Sequence, residues 1–154
     1  MAEHLAADRR TYTPEQAEAN RQVIRDIDAA LSRRDAVALN ALCHDDCVLA
    51  LPDGHPTGGT FTGIDNVNAA RARMKKALGI TQIQKVADVT DGSPFVMSVL
   101  EISGTDARGA PWTMPAMETV KITDGKLAEL KIFFYDTVRL REIAGGREKE
   151  FTAN

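Results

Sequence analysis

Polar and apolar positions follow one rhythm in the first half of the chain and another in the second. Val23, Ile24, Ile27, Ala30 and Leu31 recur every three to four residues, the spacing of a helix with one buried stripe. Thr13-Pro14-Glu15-Gln16 precedes them and combines an N-cap, a proline at the first helical position and a glutamine that closes a capping box. A helix is therefore expected from about residue 14 to 33, ending where Arg33 and Arg34 suit a C-terminus. Asp35 can cap a second, short helix carrying Val37, Leu39 and Leu42, with His44, Asp45 and Asp46 at its C-terminal end. "CVLALP" then reads as a strand stopped by the turn-rich "PDGHPTGG", and "TFTG" as a short strand paired with it. "IDNVNAARARMKKAL" predicts a third helix, with Asp65 or Asn66 near its start and Gly79 past its last turn.

From Ile80 the period drops to two. "ITQIQKVADVT", "FVMSVLEIS", "WTMPAMETVKI" and "KLAELKIFFY" alternate as strands, separated by "DGSP", "GTDARGAP" and "TDG". Links this short favour antiparallel neighbours, and Asp124-Gly125 is a strong hairpin turn. Helices followed by a meander predict an α+β domain with three N-terminal helices on one face of an antiparallel sheet. The domain is expected over residues 13–141, after an extension at 1–12 and before a charged tail at 142–154. The segment "RLREIAGGREKEFTAN" holds too few apolar residues to pack independently.

Composition narrows the classes. With 154 residues, 44% apolar and 27% charged, the chain can enclose one core, and no apolar run approaches the roughly 18 residues of a membrane span. A formal net charge of −3 with both signs interspersed gives no basic stripe, so no nucleic-acid partner is expected. The N-terminal residues lack the basic and apolar regions of a signal peptide, which points to the cytoplasm. Cys43 and Cys47 are read as buried free thiols, since nothing completes a zinc set and no metal or cofactor motif is present.

One residue breaks the pattern in a way that matters chemically. In "PWTMPAMETVKI" the alternating set is Trp112, Met114, Ala116, Glu118, Val120 and Ile122, a carboxylate within an apolar face. Buried there it must be protonated, paired or in contact with a wet pocket; a bulge near Pro115 would instead turn it to solvent. Trp112, Met114, Phe134, Phe95 and Met97 are apolar enough to line a ligand site or to be plain core.

The order of capped helix, short helix, "ALCHDDCVLALPDG", "TFTGID" plus helix, and a meander containing "DGKLAELKIFFYD" resembles the NTF2-like superfamily. The resemblance is to its SnoaL-like and ketosteroid-isomerase-like branch, over residues 14–138. It implies a cone-shaped fold, a strongly curved sheet wrapped around the first helix, an apolar pocket, a hydrophobic small-molecule substrate and a homodimer. "GAPWTMPAMETVKI" is similar to the isomerase strand whose inward acid hydrogen-bonds the reacting oxygen, and Glu118 takes that place. The isomerase's general base falls at Leu51 and its helical tyrosine at Ile27, so that triad is incomplete and both positions become lining residues. The Arg-x-Asp pair of limonene epoxide hydrolase is also missing.

Within this resemblance Asp53 and His55 lie in the loop at the pocket mouth, where an imidazole beside a carboxylate would make a base near neutral pH; turn chemistry explains the same residues. Asp136 and Tyr135, at the end of the last strand, are pocket candidates, with an N-cap as the other reading of Asp136. The expectation is a cofactor-independent enzyme that isomerises, cyclises or dehydrates a hydrophobic molecule, with Glu118 as acid or base and Asp136, Tyr135, Asp53 and His55 assisting. The alternatives are a non-catalytic ligand-binding or assembly module and epoxide-type water addition between Glu118 and Asp136.

Overall fold

A computed structural model describes residues 12–151. All but one residue of the expected N-terminal extension, and the last three residues of the tail, lie outside the described residues. Helix α1, Pro14–Arg33, opens with the capping box: the Gln16 amide donates to Thr13 Oγ1 at 3.2 Å and the Thr13 amide to Gln16 Oε1 at 2.9 Å. Asp35 caps α2, Ala36–Ala41, by accepting from the Ala38 amide at 3.0 Å. In α2, Leu39 is buried while Val37 faces solvent.

Strand β1, Cys43–Leu51, begins earlier than the sequence suggests and takes in His44, Asp45 and Asp46, which are not a helix end. The cause is long-range pairing. Leu127 donates to the Leu42 carbonyl, and His44 Nε2 lies 2.8 Å from the Thr123 carbonyl, partners that no local reading supplies. Cys43 and Cys47 are buried free thiols.

β2, Gly59–Thr62, pairs antiparallel with β1; α3 spans Ile64–Leu78, with Gly63 at its N-cap and no side-chain cap. β3, Ile80–Val89, β4, Phe95–Thr105, β5, Pro111–Thr123, and β6, Lys126–Phe134, form the antiparallel meander. Asp124 and Gly125 carry φ of 51° and 72°, the left-handed pair that a tight β5–β6 hairpin needs. The sheet order is β2-β1-β6-β5-β4-β3, and its β1–β6 pairing is parallel.

Alternation decides which face is buried. Val96, Leu100, Ile102, Met114, Val120, Leu130 and Ile132 face α1 and α3 and are 6% exposed or less, whereas Met97, Val99, Met117 and Phe133 point outward. The C-terminal segment also contributes to the core. Asp136 caps α4, Thr137–Ala144, which buries Leu140, Ile143 and Ala144. Three apolar residues on one helical face suffice once a ready-made core accepts them, although they are too few for the segment to pack independently. A short 3-10 helix, Arg147–Phe151, follows.

α3 ends at Gly79, with φ of 60° and a position for Cβ only 2.1 Å from the Thr105 carbonyl oxygen. Gly79→Ala should therefore lower unfolding free energy by more than the ~1–2 kcal/mol of left-handed strain alone, as measured by urea denaturation. A loss below that range would show that the α3–β4 approach relaxes freely.

Candidate functional site

Between α1, α3 and the concave sheet face lies a cavity of about 440 Å³, a size ordinary for small-ligand sites. Ile24 and Ile27 of α1, Met74 of α3, and Leu100, Ile102, Val120 and Ile132 of the sheet give it an apolar body. Asp28, Ser32, Arg71, Lys75 and Lys85 supply its polar part, and Glu118 lies on the sheet wall.

Glu118 sits where β5 alternation places it, half-buried and opposite Ser98 on β4 and Ile132 on β6. No bulge intervenes between Pro115 and Glu118, because the β4–β5 register runs unbroken from Phe95–Lys121 to Thr105–Pro111. Burial pushes the Glu118 carboxyl above its ordinary pKa; Lys85 and Arg71 oppose that shift, and the charges of Asp28 and Asp88 add to it. A polar chain lies beside it. Lys85 Nζ is 2.7 Å from Asp28 Oδ2 and 3.3 Å from Asp88 Oδ1, and Ser98 Oγ donates to Asp88 Oδ1 at 2.5 Å.

The structure brings only two of the sequence-derived candidates, Glu118 and Ile27, to this cavity. Trp112, Met114, Phe134 and Leu51 face inward but pack as core, with the Trp112 indole N–H donating to the Leu78 carbonyl at 2.9 Å. Met97 lies on the outer sheet face with Phe95, because both have the parity opposite to Glu118's partner Ser98. Tyr135 is 84% exposed, and Asp136 turns back to accept from the Arg139 amide at 2.9 Å; neither lines the cavity. The strand ends at Phe134, so its alternation no longer governs these two side chains.

The Asp53/His55 base is not assembled either. Asp53 is exposed in its turn, while His55 is buried against Phe134, ring centroids 4.9 Å apart, with Nδ1 accepting from the Thr57 amide at 3.0 Å. Asp28, Arg71, Lys75 and Lys85 escaped the sequence reading. Asp28 and Arg71 carried a usable signal, since each occupies an apolar-stripe position: Asp28 between Ile24 and Leu31, and Arg71 between Val67 and Met74. Among the described residues no three His, Cys, Asp or Glu side chains cluster as metal ligands, and no helix is long and apolar enough to cross a membrane.

Residues 24–130 match the model of the SnoaL-like domain. The chain belongs to the SnoaL-like family. That match takes in β1 to β5, α2, α3 and the second half of α1, hence most of the cavity wall around Glu118. Solved structures agree at the level of fold. TerC, co-crystallised with polyporic acid, is 23% identical over 82% of this chain and 98% of its own, with a TM-score of 0.71. An NTF2-like protein of unknown function from Burkholderia pseudomallei K96243 is 21% identical over 82% and 97%, TM-score 0.69. A protein from Jannaschia sp. CCS1 described as a SnoaL-like polyketide cyclase is 15% identical over 90% and 98%, TM-score 0.66. No curated protein matches the sequence.

Burial holds the His55 imidazole down at a pKa of about 4, so the folded state disfavours its protonation. Between the ordinary His pKa and 4 the unfolded chain binds the extra proton; stability contributed by neutral His55 is present at neutral pH and is lost as pH falls through that window. The loss should amount to about 3 kcal/mol. Urea denaturation from pH 7 to pH 4 checks it: His55→Gln should flatten that part of the slope, and identical slopes would show that the buried ring is not responsible.

Proposed function

We propose that this SnoaL-like protein is a cofactor-independent enzyme that performs acid/base chemistry on a hydrophobic small molecule. Isomerisation, cyclisation and dehydration all fit, since each takes a proton from carbon and hydrogen-bonds or protonates an oxygen: the carbonyl oxygen in the first two, the hydroxyl that leaves as water in the third. The observation that carries the reading is a carboxyl with raised proton affinity on the wall of an open apolar cavity. A carboxyl whose proton affinity is raised by burial donates a hydrogen bond or a proton to a substrate oxygen more readily than an exposed glutamate does.

The second group this chemistry needs is a base, and Asp28 is the best candidate. It lines the same cavity, with Oδ2 2.7 Å from Lys85 Nζ, and a carboxylate placed there is within the class of groups that accept a carbon-bound proton. The pair takes over the role first assigned to Asp53 and His55. Water addition between Glu118 and Asp136 has little support, because Asp136 is occupied in capping α4. The open cavity counts against an assembly module whose cone is filled by side chains, and the raised carboxyl on its wall is what favours an enzyme over a simple ligand-binding module.

The likeness to TerC, which was crystallised with polyporic acid, supports occupancy of the cone by a small organic molecule. We also retain a homodimer in this reading. Val99, Met117 and Phe133 form one cross-strand apolar row on the outer sheet face, each 38–47% exposed in the single chain. Sedimentation equilibrium should return twice the chain mass, and Met117→Lys should shift it toward one; a monomeric parent would remove the dimer.

The catalytic reading is tested by proton exchange. Enolisable hydrophobic ketones and esters are screened in D2O by NMR for enzyme-dependent C–H exchange. With a substrate so found, Glu118→Gln should slow turnover by about 10²-fold or more, and Asp28→Asn comparably, with folding retained. Turnover unaffected by Glu118→Gln would exclude this carboxyl from the chemistry.

A further inference from the structure

Arg71 and Lys75 stand one helical turn apart on α3, and both line the cavity. Among the described residues neither has an ion pair within 4.0 Å or a hydrogen bond, although Glu118 feels the Arg71 charge. The contrast with the third cation of the cavity is informative. Lys85 is held between Asp28 and Asp88, so its charge is already matched within the protein.

The α3 pair is mutually repulsive. Like charges at i, i+4 weaken a helix, and here a third cation, Arg34 at the end of α1, adds to the same field. Burial first, then Arg71 and Arg34, lower the Lys75 pKa, so the ammonium is in surroundings that lack a compensating anion. Replacing either side chain by a neutral one would relieve that repulsion. Neither cation has a hydrogen-bonded or ion-paired partner among the described residues, whereas both residues line a cavity whose body is apolar.

We propose that the cavity takes an anionic amphiphile, with an apolar body against Ile27, Met74, Leu100 and Ile102 and one acidic oxygen group, carboxylate or enolate, held by Arg71 and Lys75. Guanidinium and ammonium donors to an anionic oxygen make the stronger class of hydrogen bond. This inference rests on the reading of the cavity as a ligand site and assigns the charge class of its ligand. It also gives the ligand a polarity: the acidic end lies toward α3, and the apolar part reaches the sheet and Glu118.

A matched pair of fluorescent probes separates the two claims. 1-Anilinonaphthalene-8-sulfonate and N-phenyl-1-naphthylamine share an apolar body and differ by the sulfonate. The folded protein should bind the sulfonate probe about tenfold more tightly, as expected for charge-assisted contacts, with affinity falling as salt rises. Arg71→Gln/Lys75→Gln should remove that preference and leave the neutral probe unaffected; each single variant should remove part of it. Ile102→Trp, which fills the cavity, should weaken both probes and so locate them.

Equal affinity for the two probes, or a sulfonate preference that survives the double substitution, overturns the anion assignment while the ligand cavity stands. Failure of both probes to bind, or binding untouched by Ile102→Trp, overturns the cavity reading and the anion assignment together. Circular dichroism of each variant confirms that the helix is retained, and the salt dependence of the unsubstituted protein tests the assignment even if a variant unfolds.

Discussion

The whole arrangement depends on burying one face of the meander against α1 and α3. Strand alternation puts Leu100, Ile102, Val120, Leu130 and Ile132 on the same side, and the two helices present Ile24, Ile27 and Met74 to them. Each such side chain contributes on the order of 1.5–3 kcal/mol when fully removed from water, which makes this layer the dominant stabilising contact. Where helices and sheet do not close completely, the same layer leaves the cavity. Core and candidate site are thus one apolar surface, filled around Trp112, Met114 and Phe134 and open around Ile27, Leu100 and Ile102.

Charge is distributed over that opening in two unlike ways. On the α1–β3–β4 side, Asp28, Lys85, Asp88 and Ser98 form a connected chain in which each charge has a partner. On the α3 side, Arg71 and Lys75 have none among the described residues. Glu118 feels both groups, and desolvation outweighs the cations in setting its proton affinity. A raised carboxyl pKa, a matched chain and an unmatched cation pair thus surround a single cavity, the combination on which the proposed acid/base chemistry and anionic ligand both rest.

Local chemistry made much of the fold legible. The capping box at Thr13 and Gln16, the left-handed Gly79 after α3 and the Asp124-Gly125 hairpin each act within a few residues, so their signals survive without tertiary context. Elsewhere distant partners decide. His44 to Asp46 join β1 because β6 and the β5–β6 turn region offer hydrogen-bond partners, and α4 folds onto the domain because a core exists to receive Leu140 and Ile143. Glu118 was visible as an acid on an apolar face, and Asp28 and Arg71 broke helical stripes in the same manner. Lys85 and Lys75 gave no comparable signal, because a lysine on an exposed edge strand or helix flank is ordinary.

The sequence by itself determined α1 to α3, the strands of the meander, their order and the place of Glu118 on an apolar alternation, since period, caps and turns depend on neighbours along the chain. Tertiary structure alone decided which inward residues meet an opening and which are packed core. It sent Tyr135 and Met97 outward, buried His55 against Phe134 and set Asp136 to capping α4. It also brought Asp28, Arg71, Lys75 and Lys85 from three elements to one cavity. The physical reason is that a side chain's direction follows from local backbone geometry, whereas a cavity exists only where surfaces far apart in the chain fail to fill the space between them.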